Sequence, residues 1–343
     1  MHHFLTTALI LAAVPVLAAP RVATDIAPVH SLTTQVMEGV GQPDLILPIG
    51  ASPHAYSMRP SEAAALQDAE IVFWIGESLT PWLERSLETI ASEATAVELL
   101  GAGASIVLPT RTGATFEVHE DHDEHNDHDD DDDHAGHAGH AKDDDHKEGD
   151  EHAEDAHHDE HAEDGHDEHD HGGQDPHAWL DPENAKAWLD VIAESLANAD
   201  PANAAAYIAN ANAAKARLDE LGGKISAQLT PLHDARFIVF HDAYQYFETR
   251  FDTPATGAIS LSDAQKPSPA RIAELQDLAT KEKVACVFSE PQFNSGVVNA
   301  VFGGSDVRTG VLDPLGASLE PGAEFYAALL TGMAGAMVEC LDG

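Results

Sequence analysis

The sequence predicts an α/β protein of two lobes, each a mostly parallel sheet flanked by helices, joined by one long helix. Three observations predict it. Short apolar runs of strand type alternate with helical patterns in the first third of the chain and again in the last third. Between these blocks lies an alanine-rich helical stretch without strand signals. Finally, histidines and one aspartate follow strand-like runs in both blocks, the end of an open α/β sheet where ligands bind.

Residues 21–24 and 45–49 read as strands around a helix at 28–39. Pro60-Ser61 is a helix-start signal for 62–68. The continuous apolar run 71–75 is of the buried parallel-strand type and precedes a helix from 80 to about 91. Residues 96–99 and 106–108 complete the strand candidates of the first lobe, 20–182. A helical region, 183–230, follows. Pro182-Glu183 opens a helix to 199, and Asp200-Pro201 opens a second with proline at its first position, running to 229. At 1.5 Å per residue that helix spans on the order of 40 Å, enough to bridge two lobes. In the second lobe, 231–343, strands are expected at 236–240, 255–259, 284–288 and 307–312, with helices at 243–249, 269–281, 295–302 and 324–340.

Residues 119–171 interrupt this pattern. They hold 15 of the 22 histidines (His119, His122, His125, His128, His134, His137, His140, His146, His152, His157, His158, His161, His166, His169 and His171) together with 25 acidic residues. With no hydrophobic periodicity the insert cannot offset its ordering entropy and is expected to be disordered. Imidazole and carboxylate at this density suit weak, exchangeable divalent-metal sites, which should fade below about pH 6.5 as the imidazoles protonate. The alternative is a solvating acidic loop. The formal net charge is −43; removing the insert takes away 25 acids and 2 lysines and leaves −20, which argues against nucleic acid as a partner.

Residues 1–19 read as a secretory signal peptide, with an apolar stretch at 5–17 and small residues for cleavage near Ala18 or Ala19. The apolar stretch is too short to span a bilayer, and no cysteine follows it to carry a lipid. An exported, soluble protein is expected. Cys286 and Cys340, the only cysteines, then read as a disulfide worth about 4 kcal/mol in the chain-entropy account, with two free core thiols as the alternative.

Outside the leader and the insert five histidines remain: His30, His54, His177, His233 and His241. His54 follows the run 45–49, His241 follows Phe237-Ile238-Val239-Phe240, and Asp313 follows Gly310-Val311-Leu312. Four segments carry a resemblance: Gly50-Ala51-Ser52-Pro53-His54-Ala55-Tyr56, His177-Ala178-Trp179-Leu180-Asp181-Pro182, His241-Asp242-Ala243-Tyr244 and Leu312-Asp313-Pro314-Leu315-Gly316. In this order they resemble the ligand loops of the cluster A-I solute-binding proteins that serve ABC importers. Cys286-Val287-Phe288-Ser289-Glu290-Pro291-Gln292-Phe293 is similar to the zinc branch of that family, and the position of the acidic, His-rich insert also matches.

The resemblance implies a rigid connecting helix, one metal ion in the interlobe cleft, and His54, His177 and His241 as its ligands. Manganese- and iron-binding relatives usually have glutamate as the third ligand, so His241 points to zinc, in keeping with the preference of Zn²⁺ for nitrogen over the all-oxygen sets that suit Mn²⁺. Some zinc relatives place a glutamate before the first histidine; here Pro53 stands there, so Asp313 or a water is expected to complete the tetrahedron. Glu290 and Arg59 are read as structural, His30 and His233 as ordinary surface residues. The implied function is capture of Zn²⁺ by a monomer and its delivery to a membrane permease in the periplasm, without catalysis. A zinc metallochaperone is a further candidate partner. The alternatives are a Mn²⁺ or Fe²⁺ carrier of the same family, a zinc buffer or adhesin working through the insert, and a secreted zinc hydrolase, for which the chain lacks a His-Glu-x-x-His helix.

Overall fold

The structure is a computed structural model that describes residues 19–116, 173–261, 267–294 and 296–342. The insert lies outside the described residues, as does the leader apart from Ala19. In the first lobe β1 (Val22–Thr24), β2 (Asp44–Leu45), β3 (Ile71–Trp74) and β4 (Thr95–Glu98) form an all-parallel sheet in the order β2-β1-β3-β4. In the second, β5 (Phe237–His241), β6 (Gly257–Ser260), β7 (Cys286–Ser289) and β8 (Arg308–Val311) repeat that plan in the order β6-β5-β7-β8. The inner strands β1, β3, β5 and β7 are buried along their whole length, the pattern of parallel strands covered on both faces.

Helices α1 (Ala27–Val36), α2 (Pro60–Asp68) and α3 (Pro81–Ile90) connect the first sheet; α6 (Gln245–Phe251), α7 (Pro269–Lys281) and α8 (Gly296–Phe302) belong to the second. Between them stand α4 (Pro182–Ala199) and the 26-residue α5 (Ala204–Leu229), while α9 (Phe325–Leu341) ends the fold. The connecting helix is not a free rod. It packs on α1, α4 and α9, and one apolar core runs continuously from Val22 and Phe73 through Trp188, Tyr207 and Leu218 to Phe237, Phe288 and Met333. A disulfide joins Cys286 on β7 to Cys340 on α9, with their Cα atoms 6.0 Å apart.

The chain also crosses between the lobes ahead of the insert. Thr115 bridges to Gly257 on β6, and Phe116 N–H donates to Thr256 O. Position 257 needs glycine because a Cβ there would lie 2.4 Å from Ala114 O. Arg111, lying over the Phe116 ring, reaches both Asp242 and Glu248 of the second lobe.

Three expectations need correction. Residues 106–108 form no strand: Asn184 takes both the N–H and the C=O of Ile106, so its side chain stands in for a sheet partner. The strand expected at 45–49 is Asp44–Leu45 alone; ladder-like bonds from Ile46 and Leu47 continue it, and Pro48, lacking an N–H, stops it. Pro201 is not the first residue of the long helix. Asp200 instead closes a turn by accepting from Asn203 Nδ2 and the Tyr207 hydroxyl, and α5 starts at Ala204. The other elements match their expected positions to within about three residues, helix ends being ill-defined by one or two in any assignment.

Candidate metal centre

His241 is the last residue of β5, one place earlier than a position beyond the strand, and is buried. The parallel pairing of β5 with β7 sets Phe237 beside Cys286 and Ile238 beside Val287, an offset of 49. The same offset carries His241 to Glu290, just past the end of β7. Glu290 Oε1 lies 2.6 Å from His241 Nδ1 and 3.3 Å from its backbone N. A carboxylate can only accept, so the ring carries its proton on Nδ1 and presents its lone pair at Nε2.

His177 reaches the same state by a local route. It precedes a 3-10 turn, Ala178–Leu180, and Asp175 two residues earlier folds back so that Oδ1 accepts from His177 N–H at 3.0 Å and from Nδ1 at 2.7 Å. Burial pushes the Asp175 carboxyl up to about 7, against the lowering effects of the His177 N–H and of Arg111. The turn is fixed from several sides. Trp179 Nε1 donates to Pro314 O, the Tyr326 hydroxyl to Trp179 O, and the Tyr246 hydroxyl to Asp175 O.

With both Nδ1 atoms committed, His177 Nε2 and His241 Nε2 face each other 3.4 Å apart. Two nitrogens on one tetrahedral Zn²⁺ with bonds of 2.0–2.1 Å stand about 3.3 Å apart, so the pair has the spacing of a shared ion. The His54 ring stands next to that of His177, their centroids 5.6 Å apart. It sits in the loop between β2 and α2, half-buried, and Trp82 Nε1 ties that loop by donating to Pro53 O at 2.7 Å. The three histidines line one cleft with Ser52, Trp179, Glu290, Gln292 and Phe293.

Asp313 is placed differently. Its Oδ1 accepts from Leu315 N, Gly316 N and Gln292 Nε2, and its Oδ2 from Ala317 N. The carboxylate thus organises the turn that follows β8, where Gly316 has φ +65°, and Pro314 and Leu315 rather than Asp313 line the cleft.

Arg111, which lines a second pocket together with His54, His177 and Asp242, is held by two acids. Burial alone would lower its guanidinium, but Glu248 and Asp242 outweigh that and keep it above its ordinary range. Arg59 stands at the start of α2, where its backbone N–H donates to Glu62. Neither of the remaining histidines joins the cleft. His30 is part-buried, its Nε2 3.2 Å from Pro43 O, and burial lowers its pKa. His233 is partly exposed and pairs with Asp252. The insert histidines lie outside the described residues. Sequence reasoning missed Asp175 and Gln292 and took Glu290 as structural only. The acid two residues before His177 was a local signal, whereas Glu290 requires the strand register.

A family model described as "Zinc-uptake complex component A periplasmic" matches residues 22–340. The high-affinity zinc uptake system protein ZnuA of Brucella suis is 44% identical over 321 residues, 94% of this chain and 91% of the relative. The Paracoccus denitrificans protein of the same name is 44% identical over 339 residues, 98% of this chain and 97% of the relative. Among solved structures, a zinc-bound ZnuA deletion mutant superposes with a TM-score of 0.67 at 22% identity, covering 94% of this chain and 98% of the other. The periplasmic zinc-binding protein TroA of Treponema pallidum gives 0.68 at 16%, covering 94% and 99%. At these identities the structural likeness shows the fold.

Proposed function

The chain belongs to the ZnuA family of periplasmic zinc-uptake components, and from that premise we propose that it captures Zn²⁺ in the interlobe cleft and hands it to an ABC-type membrane permease. The observation that carries the reading is the pair of Nε2 atoms 3.4 Å apart, each on a ring whose Nδ1 is held by a buried carboxylate. His54, His177 and His241 are the protein ligands. Three imidazoles favour Zn²⁺ over Mn²⁺, which prefers oxygen. Asp313 or a water takes the fourth position, and the four donors already on the Asp313 carboxylate favour water.

Binding and release are the function, and no step is catalytic. The two acids fix the ligating tautomer before the ion arrives, so less freedom is lost on binding. The shared core of α1, α4, α5 and α9 and the Arg111 crossing restrain the lobes, which fits small adjustments of the cleft rather than wide opening. The insert, 119–171, acts as an accessory of weaker sites beside this one.

Isothermal titration of the His54, His177 and His241 triple alanine variant tests the site. Loss of the tight zinc equivalent is expected, and an unchanged tight phase would sink the assignment.

A further inference from the structure

Gln292 lies three residues beyond β7 and lines the cleft beside the three histidines. Its Nε2 donates to Asp313 Oδ1 at 3.1 Å. An ionised Asp313 can only accept, so the carboxamide has one permitted orientation: its NH₂ toward Asp313 and its carbonyl oxygen away. That Oε1 is buried, and no donor among the described residues reaches it. A buried amide oxygen without a donor is costly to keep. Asp313 is itself immobilised by the backbone N–H groups of residues 315–317, so it acts as a fixed post that sets the direction of Gln292.

We infer that Gln292 Oε1 is the hydrogen-bond acceptor for a water that completes the coordination of Zn²⁺ beside His54, His177 and His241. The inference rests on the zinc reading above and gives its fourth position a specific partner. An amide oxygen is not among the usual donors to Zn²⁺, which takes nitrogen, sulfur or carboxylate oxygen. A water on the ion has two protons to donate and needs an acceptor, and Oε1 is an acceptor that needs a donor. Asp313 then matters to zinc indirectly, by holding Gln292, and the water leaves one position open to exchange when the ion is released. Gln292 is a positioning residue for the cargo.

The test uses full-length protein with Gln292→Met, which keeps the length of the side chain and removes the acceptor. Zinc affinity is measured by chelator competition, the visible spectrum with Co²⁺ in place of Zn²⁺, and melting of the metal-free protein. The expected result is a loss of about tenfold in zinc affinity, the lower end of the effect of outer-sphere partners. The Co²⁺ bands should change in shape and in their pH dependence, with the metal-free melting temperature retained. An unaltered Co²⁺ spectrum with unaltered affinity overturns the inference. If Gln292→Met does not fold, a crystal structure of the zinc-loaded natural protein decides. Oε1 within about 3.2 Å of a zinc-bound water supports the inference, and Oε1 remote from the fourth position overturns it. Failure of the underlying reading would look different: the triple histidine variant would keep its tight zinc equivalent whatever stands at 292.

Discussion

His177 and His241 stand on buried elements with a carboxylate behind each ring, whereas His54 rides a half-buried loop that Trp82 ties through Pro53 O. The first wall is over-determined. Asp175 is fixed by Tyr246, Glu290 by the register of β5 on β7, and β7 by the disulfide to α9. The second wall is a loop whose anchors include Trp82 Nε1 on Pro53 O and the Tyr56 hydroxyl on Glu62. A carrier has to hold its ion tightly and also let it go. In the proposed site two histidines buried with their carboxylates supply affinity and selectivity, and the histidine on the half-buried loop supplies a place for release to begin.

The largest effects should come from the ligands themselves and should be unequal. A structural zinc site gathers roughly 10–16 kcal/mol from four ligands, so one backed histidine is worth a few of these. His177→Ala or His241→Ala should weaken zinc binding on the order of 10³-fold in competition titration, and His54→Ala nearer 10²-fold. Equal losses at all three would mean that the walls do not differ.

Next comes the brace under the backed wall. Replacing Cys286 and Cys340 by serine should lower the unfolding free energy by about 4 kcal/mol in denaturant titration, with zinc affinity changed less than threefold or so. A large loss of affinity would show that the disulfide positions Glu290 rather than only stabilising the lobe.

Smaller effects separate the supports. Glu290→Ala and Asp175→Ala should each cost about 10–100-fold in zinc affinity, the range for acids that orient metal-binding histidines. Glu290→Gln, which keeps an acceptor for Nδ1–H, should cost less. On the loop side, Trp82→Phe removes one hydrogen bond worth about 1 kcal/mol and should weaken zinc about fivefold at most. Its main signature should be faster zinc dissociation in stopped-flow chelation. An unchanged dissociation rate would deny the loop its role in release.

Much of this arrangement was legible before the structure. The buried runs Ile71–Trp74 and Cys286–Ser289 fit the near-continuous apolar pattern of strands in a covered parallel sheet, and His54, His177 and His241 were marked by ordered motifs. What could not be read was decided by contacts distant in sequence. Ile106 has strand-like neighbours but gives its backbone to Asn184, 78 residues on. Asp313 follows a strand-like run, and nothing in that run announces that its carboxylate accepts from the amides of residues 315–317. Glu290 becomes a partner of His241 only through a register no local pattern encodes.

The central claim is that tight zinc binding belongs to the cleft and not to the histidine-rich insert that dominates the composition. It is tested most directly by titrating a protein lacking residues 119–171 with Zn²⁺ and with Mn²⁺ in competition. One tight zinc equivalent is expected, bound well in preference to Mn²⁺, with only the weak additional equivalents gone. Loss of essentially all tight zinc binding would contradict it and return the working site to the insert.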